Sequence, residues 1–164
     1  MPSIIVLDKL SPDGLALLDA AAKLGISYEV KTGLSGEGLK DALASHDGAI
    51  CRSGVKITAD ALSGNHRLRA IVRAGVGTDN IDKQAATRQG IVVMNTPAGN
   101  TVSTAEHAFT LLLALSRNVA PADASLREHR WDRSKYMGVQ LAGKTLGIVG
   151  MGRIGQAVAS RARA

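Results

Sequence analysis

The sequence is short of several residue types, and each shortage excludes a class of protein. Its 164 residues include one cysteine, four prolines and four aromatic residues (one Trp, two Tyr and one Phe). Because Cys51 is alone, no intrachain disulfide can form, which favours a reducing compartment and predicts a cytoplasmic protein. No stretch approaches the roughly 18 apolar residues that a membrane-spanning helix needs. The N-terminal run MPSIIVLDKL lacks a charged segment before its apolar residues and predicts a first strand rather than a signal peptide.

The few aromatic residues also weigh against nucleic-acid binding. The formal net charge is +6, but lysine and arginine are interspersed with acidic residues rather than gathered in one stripe. The side chains that could stack on bases are far apart in the sequence: Tyr28, Phe109, Trp131 and Tyr136. No histidine has metal-ligand spacing with another histidine or with Cys51, so no metal site is predicted. We expect His46 and His66 to be solvated near helix ends, and Cys51 to be a buried small residue.

The residues that are abundant predict helices packed on a parallel sheet. The chain is 45% hydrophobic and has 18 glycines, and apolar strand patterns alternate with helical ones up to Pro97. Ser11 and Pro12 are typical of a helix N-terminus. The pattern predicts strands at 3–7, 27–31, 47–51, 69–72 and 91–94, with helices at 12–24, 36–46, 57–62 and 79–89. Right-handed crossovers would arrange these βα units as an open α/β sheet with helices on both faces.

The pattern changes after Pro97, which predicts a boundary between a first domain, 1–97, and the start of a second, 98–164. Ser103 and Glu106 have the spacing of a capping box before a long apolar helix. A further helix is predicted from about Ala120 to His129. The run TLGIV at 145–149 predicts a strand, which leads through a glycine turn into a last helix.

Three predicted strands end in loops that suit anion binding. The loops are Arg52-Ser53-Gly54, the stretch from Arg73 to Asn80, and the stretch from Asn95 to Thr101. The carboxyl ends of parallel strands lie at one edge of the sheet, where such folds bind ligands. Arginine presents a planar fork to a phosphate or carboxylate, and consecutive glycines allow backbone N–H groups to face one anion. The alternative is that the first loop is a solvated turn and that the second merely precedes a helix capped by Asp79.

The stretch Gly150-x-Gly152-x-x-Gly155 follows an apolar run and opens a helical pattern, which is the context of a dinucleotide-binding turn. Its first glycine suits a tight turn, its second allows a pyrophosphate to approach the backbone, and its third allows close packing of helix and strand. The helix N-terminus near Arg153 and Ile154 would supply free N–H groups. The alternative is a glycine-rich turn that binds nothing. The acidic residue that would hold the ribose, about twenty positions further on, lies beyond residue 164.

These motifs resemble those of one family. The stretches RSGVKITADAL, LRAIVRAGVGTDNIDKQAATRQGIVVMNTPAGNTVSTAEHAFTLLLALSRN and WDRSKYMGVQLAGKTLGIVGMGRIG are similar to the N-terminal half of the D-isomer-specific 2-hydroxyacid dehydrogenases, above all the phosphoglycerate dehydrogenase branch. The resemblance implies a flavodoxin-like substrate domain followed by the start of a Rossmann NAD-binding domain. It implies NAD-linked oxidation of a D-2-hydroxyacid, with 3-phosphoglycerate giving 3-phosphohydroxypyruvate in serine biosynthesis.

The resemblance also assigns roles to individual residues. Arg52 and Ser53 match the loop that holds the substrate phosphate, and Arg73 is similarly placed. The substrate side further includes Gly75, Val76, Gly77 and Asn100, and Val76 is also expected near the nicotinamide. The cofactor pyrophosphate is assigned to Gly150, Gly152, Arg153, Ile154 and Gly155. The helix after Ser103, the arm around Trp131 and Arg133 resemble the contacts of a homodimer.

The family's catalytic arginine, glutamate and histidine have no counterpart in this sequence. None of the histidines aligns with the catalytic one: His46, His66, His107 and His129. We therefore expect an N-terminal fragment that gives no turnover by itself. Two alternatives remain open: a non-catalytic module for anion binding or dimerisation, and an unstable product in which residues 98–164 are partly disordered or prone to aggregate.

Overall fold

The structure is a computed structural model that describes residues 1–163. It consists of two compact units, one spanning Met1–Gly99 and the other beginning at Asn100. The first unit is an α/β sheet. Its elements are β1 (Ser3–Val6), α1 (Pro12–Ala22), β2 (Ser27–Val30), α2 (Gly36–Ala44), β3 (Gly48–Cys51), α3 (Ala59–Leu62), β4 (Ala70–Arg73), α4 (Lys83–Arg88) and β5 (Val92–Asn95).

The five strands of the first unit form one parallel sheet in the order β2-β1-β3-β4-β5. This is the order of flavodoxin-like folds, and it confirms the predicted α/β fold class. Local sequence sets the helix ends: the Ser11 side chain accepts a hydrogen bond from the Gly14 N–H at 3.2 Å, and Pro12 begins α1. Gly90 takes a left-handed φ of 70° just after α4, a conformation that glycine adopts without strain.

The apolar core of the first unit lies on one face of the sheet, where the strands pack against α2, α3 and α4. Ile5 in β1 and Ile71 in β4 are fully buried, and α2 contributes Leu39 and Leu43 to the same apolar cluster. Burying an aliphatic side chain of this size stabilises a fold by about 1.5–3 kcal/mol. The two edge strands are less covered, and Val92 of β5 is exposed. The continuous apolar runs of β1, β3 and β4 therefore correspond to strands that have a neighbour on each side.

The second unit is helical in the residues that the structure describes. Its elements are α5 (Thr101–Ser116), α6 (Val119–Arg127), a 3-10 helical turn (Arg133–Tyr136) and α7 (Arg153–Arg163). Helices α5 and α7 pack against each other, and an ion pair of 3.0 Å joins Arg161 of α7 to Glu106 of α5. No helix within residues 1–163 combines the length and the apolar character that crossing a membrane requires.

One predicted strand does not form. Residues 145–149 pair with no other strand among the described residues, and the side chains of Leu146 and Val149 are exposed. An apolar run becomes a strand only when neighbouring strands satisfy its backbone N–H and C=O groups. Within residues 1–163 the second unit contains no such neighbour, so the prediction of a strand at TLGIV is wrong for this structure.

The predicted helix caps were wrong in two places. Helix α5 begins at Thr101, and the Ser103 hydroxyl donates to the Asn100 carbonyl at 3.2 Å instead of accepting a capping bond. Glu106 is free to pair with Arg161 because it lies one turn inside the helix. Helix α4 is capped by Asp82, which accepts from the Ala85 N–H at 2.9 Å, and not by Asp79.

The environment of His46 also differs from the prediction of a solvated side chain. His46 is buried, its Nδ1 lies 2.7 Å from the Ala42 carbonyl oxygen, and its Nε2 lies 3.2 Å from Glu29 Oε1. Glu29 lies on β2, which is distant in sequence, so the helical pattern around His46 could not indicate this contact. His46 thus links the end of α2 to the edge strand.

Candidate functional site

The carboxyl ends of β1, β3, β4 and β5 bring several polar residues to one edge of the sheet. Cys51, at the end of β3, is in register with Arg73, and Arg73 is in register with Asn95 at the end of β5. Asp8 follows β1 at the same edge. The sheet therefore places the predicted loops after β3, β4 and β5 side by side.

The loop after β3, Arg52–Gly54, is called here the Arg52 loop, and it is fixed by side chains from two other segments. The Arg52 N–H donates to Asp8 Oδ2 at 2.6 Å, and the Asn80 side-chain amide donates to the Arg52 carbonyl at 2.8 Å. A Cβ at Gly54 would overlap Asp8 Oδ1, so glycine allows that carboxylate to approach. The Arg52 guanidinium is exposed, and its only hydrogen bond within the described chain is a long one of 3.5 Å to the Lys9 carbonyl. Its side chain is available to an anionic ligand.

The turn after β4, Gly75–Gly77, is called here the glycine turn, and all three of its carbonyls are held by donors of the protein. The Thr96 N–H donates to the Gly75 carbonyl at 3.0 Å, the Asn95 side-chain amide donates to the Val76 carbonyl at 2.6 Å, and Arg73 Nη1 donates to the Gly77 carbonyl. Among the described residues, the N–H groups of Val76 and Gly77 have no acceptor. A turn with its carbonyls held and two N–H groups free is suited to an anion.

Arg73 lies inside the glycine turn rather than projecting away from it. Its side chain is largely buried, it hydrogen-bonds the Gly77 carbonyl, and its Nη1 lies 3.5 Å from Asp79 Oδ1. The structure thus shows a role for Arg73 in holding the turn. Its predicted contact with a substrate stays a prediction.

Cys51 lies beneath the Arg52 loop and is fully buried, as the sequence predicted. Burial in this apolar position raises the pKa of its thiol to about 11, and the nearby Asp8 carboxylate contributes to the same rise. The thiol is therefore protonated at neutral pH, and a protonated, buried thiol is a poor nucleophile. Cys51 belongs to the floor of the site and not to its chemistry.

The turn Gly150–Gly155, called here the GxGxxG turn, belongs to the second unit. Gly150 has a φ of 103°, which favours glycine. A Cβ at Gly155 would overlap the Gly150 carbonyl, whereas nothing lies near the Cβ position of Gly152, so the backbone there is open to a ligand. Helix α7 begins at Arg153, which is exposed, and Ile154 is half-buried. These are the features that a pyrophosphate needs at a helix N-terminus.

The structure places the other predicted residues as follows. Ser53 is exposed in the Arg52 loop, and Asn100 is the exposed N-cap residue of α5, where its side chain makes no capping hydrogen bond. Asp8, Asn80 and Asn95 were not singled out by sequence reasoning. Asp8 directly follows an apolar strand, and that position could have indicated it; the contacts of the two asparagines depend on loops meeting in space.

Comparison with known proteins agrees with this architecture. The family model for "D-isomer specific 2-hydroxyacid dehydrogenase, catalytic domain" matches residues 4–162. The chain is 45% identical over 161 residues to a D-3-phosphoglycerate dehydrogenase of Archaeoglobus fulgidus, covering 98% of the chain and 30% of that protein.

Solved structures are similar as well. The TT0316 protein of Thermus thermophilus matches with a TM-score of 0.86 and 35% identity, over 98% of this chain and 52% of that one. The NAD-dependent formate dehydrogenase of Staphylococcus aureus, solved in complex with NAD, matches with a TM-score of 0.82 and 29% identity, over 98% and 53%. The chain thus spans about half the length of these structures and under a third of the length of the curated relative. With a family match over nearly its whole length, the chain belongs to the D-isomer specific 2-hydroxyacid dehydrogenases.

Proposed function

We propose that this chain supplies the substrate-binding loops and part of the cofactor site for NAD-dependent oxidation of a D-2-hydroxyacid, 3-phosphoglycerate to 3-phosphohydroxypyruvate in L-serine biosynthesis. One observation carries the substrate proposal. Two fixed loops at one sheet edge each have free donors, the Arg52 guanidinium with the Ser53 hydroxyl, and the N–H groups of Val76 and Gly77. 3-Phosphoglycerate has two anionic groups, a phosphate and a carboxylate, that such a pair of loops could hold. The 45% identity to a D-3-phosphoglycerate dehydrogenase supports the same substrate.

The two ends of the substrate would bind to different loops. Arg52 forms charge-assisted hydrogen bonds with the phosphate, because a guanidinium fork matches phosphate oxygens. The free N–H groups of the glycine turn bind the carboxylate. Arg73 and Asn100 are further substrate contacts implied by the family resemblance. The two groups together fix the orientation of the C2 hydroxyl.

The cofactor proposal rests on the GxGxxG turn and on family membership. Gly150, Gly152 and Gly155 would form the pyrophosphate turn, with Arg153 and Ile154 at the start of α7. Val76 is proposed as the nicotinamide contact. The chemistry that NAD would supply at this site is a hydride acceptor for oxidation at C2 of the substrate. In this proposal residues 1–97 are the substrate domain and residues 98–164 are the first part of the NAD-binding domain, in an enzyme that forms a homodimer through α5, Trp131 and Arg133.

We expect the chain of 164 residues to bind without turnover. Oxidation requires a base for the hydroxyl proton, and within the first unit neither His46 nor His66 hydrogen-bonds the Arg52 loop or the glycine turn. His46 is engaged with Ala42 and Glu29, and the other three are exposed and lie outside both loops: His66, His107 and His129.

Calorimetric titration with 3-phosphoglycerate and with NAD, followed by an assay for NADH formation, tests this function. The proposal predicts saturable binding of 3-phosphoglycerate and no NADH. Steady NADH formation would contradict the assignment of binding without catalysis, and an absence of 3-phosphoglycerate binding would contradict the substrate assignment.

A second candidate is a non-catalytic anion-binding module. It is favoured by the first unit having a complete sheet and core, while the second has no paired strand within the described residues. Affinity for the hydroxyacid without any affinity for NAD would support the module.

A further inference from the structure

Asn80 follows the glycine turn in the chain, and its side chain donates to the carbonyls of Arg52 and Val55. We propose that Asn80 is a positioning residue that fixes the distance between the Arg52 loop and the glycine turn, so that a ligand with two anionic groups is held at both ends. The inference rests on the proposed function, because it deepens the description of that substrate site. Loss of the Asn80 side chain should therefore weaken the affinity for ligands that bind to both loops, and should change little the affinity for ligands that bind to only one.

The contacts of Asn80 join the segment after the glycine turn to the Arg52 loop. Asn80 lies three residues after the glycine turn, and its Nδ2 donates to the carbonyls of Arg52 and Val55, both at 2.8 Å. These carbonyls bracket Ser53 and Gly54, so both ends of the exposed part of the Arg52 loop are fixed by one amide group. Each of the two hydrogens of the amide nitrogen is thus used, one on each carbonyl.

The backbone around Asn80 makes the connection rigid. The Ile57 N–H donates to the Asn80 carbonyl at 2.8 Å, and the Asp82 N–H donates to the Ile57 carbonyl at 2.8 Å. Ile57 and Ile81 form a parallel bridge, and Ile57 is fully buried. The main chain on either side of Asn80 is therefore held to the segment that follows the Arg52 loop. Movement of one loop would have to break these bonds.

The Asn80 amide oxygen is in an energetically unfavourable environment, and this indicates a specific role for the side chain. Asn80 Oδ1 is buried and has no hydrogen-bond partner within the described chain. Unpaired buried oxygens are unfavourable, and each of them in a native fold calls for an explanation. Rotating the amide by half a turn would place its oxygen against the carbonyl oxygens of Arg52 and Val55, which would repel it. The two carbonyls of the loop therefore set the orientation of the amide, although this leaves Oδ1 without a partner within the described chain.

Two substitutions of Asn80 distinguish the role of its hydrogen-bond donor from that of its side-chain shape. In Asn80→Asp the shape is kept but a carboxylate faces two carbonyls, and in Asn80→Ala both carbonyls lose their donor. Gln84→Ala is the matched control, because Gln84 is an exposed amide on the nearby helix α4 and makes no side-chain hydrogen bond within the described residues. All three variants are made in the 164-residue chain, and their folding is checked by circular dichroism.

The affinities of 3-phosphoglycerate and of D-glycerate, which lacks the phosphate, are then measured by NMR titration. We expect both Asn80 variants to weaken 3-phosphoglycerate binding about tenfold, the effect of losing one to two hydrogen bonds, and to change D-glycerate binding by less than about threefold. Gln84→Ala should change neither affinity. An equal loss for both ligands, or no loss for 3-phosphoglycerate, would overturn the inference.

Amide exchange without ligand tests the same contact independently. The Arg52 amide donates to Asp8 Oδ2 and the Ile57 amide to the Asn80 carbonyl. The Asn80 variants should exchange these two amides faster than the unmodified chain, and unchanged rates at both would overturn the inference. Failure of the unmodified chain to bind 3-phosphoglycerate would instead refute the proposed function, and the exchange rates would still decide whether Asn80 holds the Arg52 loop.

Discussion

Two apolar runs of similar sequence differ in structure: one forms a buried strand, and the other is exposed and unpaired among the described residues. RAIV, at 69–72, enters β4 in the middle of the sheet, and Ile71 is fully buried. LGIV, at 146–149, pairs with nothing in the described residues, and Val149 is fully exposed. The comparison teaches that apolar sequence is necessary for a buried strand but that neighbouring strands decide whether it is buried.

The same difference separates the two candidate binding regions. The Arg52 loop and the glycine turn are fixed by hydrogen bonds from several strands and loops of a complete sheet. The GxGxxG turn has its helix, α7, packed against α5, but the run before it has no strand partner within residues 1–163. We therefore expect the substrate loops to be the better ordered of the two in this chain.

The largest expected effect comes from removing the same two methyl groups in each unit. Val6, in β1, is fully buried, whereas Val149 is exposed. Val6→Ala should lower the free energy of unfolding by about 2 kcal/mol, because it removes buried apolar surface and leaves a cavity. Val149→Ala should change it by less than about 0.5 kcal/mol. Urea denaturation followed by circular dichroism measures both changes. Equal losses of stability would contradict the assignment of Val6 to a buried strand and of Val149 to an exposed segment.

The next effect concerns binding. Arg52→Ala should weaken 3-phosphoglycerate binding about tenfold or more, because a hydrogen bond to a charged group contributes about 1.5–3 kcal/mol. Arg153→Ala, at the start of α7, should leave that affinity unchanged, since we assign Arg153 to the cofactor. Calorimetry on both variants checks this, and a loss with Arg153→Ala but not with Arg52→Ala would show that the phosphate binds to the second unit instead.

A smaller effect is the slow chemical modification of Cys51, the one cysteine of the chain. Cys51 should react slowly with a thiol reagent in the folded chain, because it is buried and its pKa is raised to about 11. In urea its reaction rate should rise to that of an exposed cysteine. Rapid modification without denaturant would show that the floor of the Arg52 loop is open.

The smallest expected effect is the pH dependence of stability that arises from Asp47 in the first unit. Hydrogen bonds from the Arg67 guanidinium, and then from the Ser3 backbone, hold the pKa of the Asp47 carboxyl well below its usual range. Because the folded pKa is below the unfolded value of about 3.9, this carboxylate stabilises the fold above that pH, and the contribution is lost as the pH falls further. Asp47→Asn should flatten the acid limb of stability against pH, and Arg67→Met should flatten it similarly. A curve unchanged in both variants would refute this role.

The order of strands and helices in the first unit could be predicted from sequence because its signals are local. Apolar runs bounded by glycine, and a Ser-Pro pair at the start of α1, predicted elements that the structure reproduces mostly within about two residues. The strand at 145–149, the cap at Asp79 and a solvated His46 were wrong because partners distant in sequence, present or absent, decide those features.

The candidate site was predictable to a similar extent. Strand ends indicated Arg52, Ser53 and the glycine turn, since parallel strands end at one edge. The residues that hold those loops, Asp8, Asn80 and Asn95, act through contacts that form only after folding. Sequence thus indicated the groups that could face a ligand, and the structure was needed for the groups that position them.

NMR mapping of 3-phosphoglycerate on the 164-residue chain tests the central claim most directly, because it reports where the ligand binds. The claim is that the sheet edge of the first unit is a ready-made site for a two-anion ligand. It predicts saturable shifts in the amides of Ser53, Gly54, Val76 and Gly77, with little change in the amides of the GxGxxG turn. Shifts confined to the second unit, or no saturable shifts at all, would contradict it.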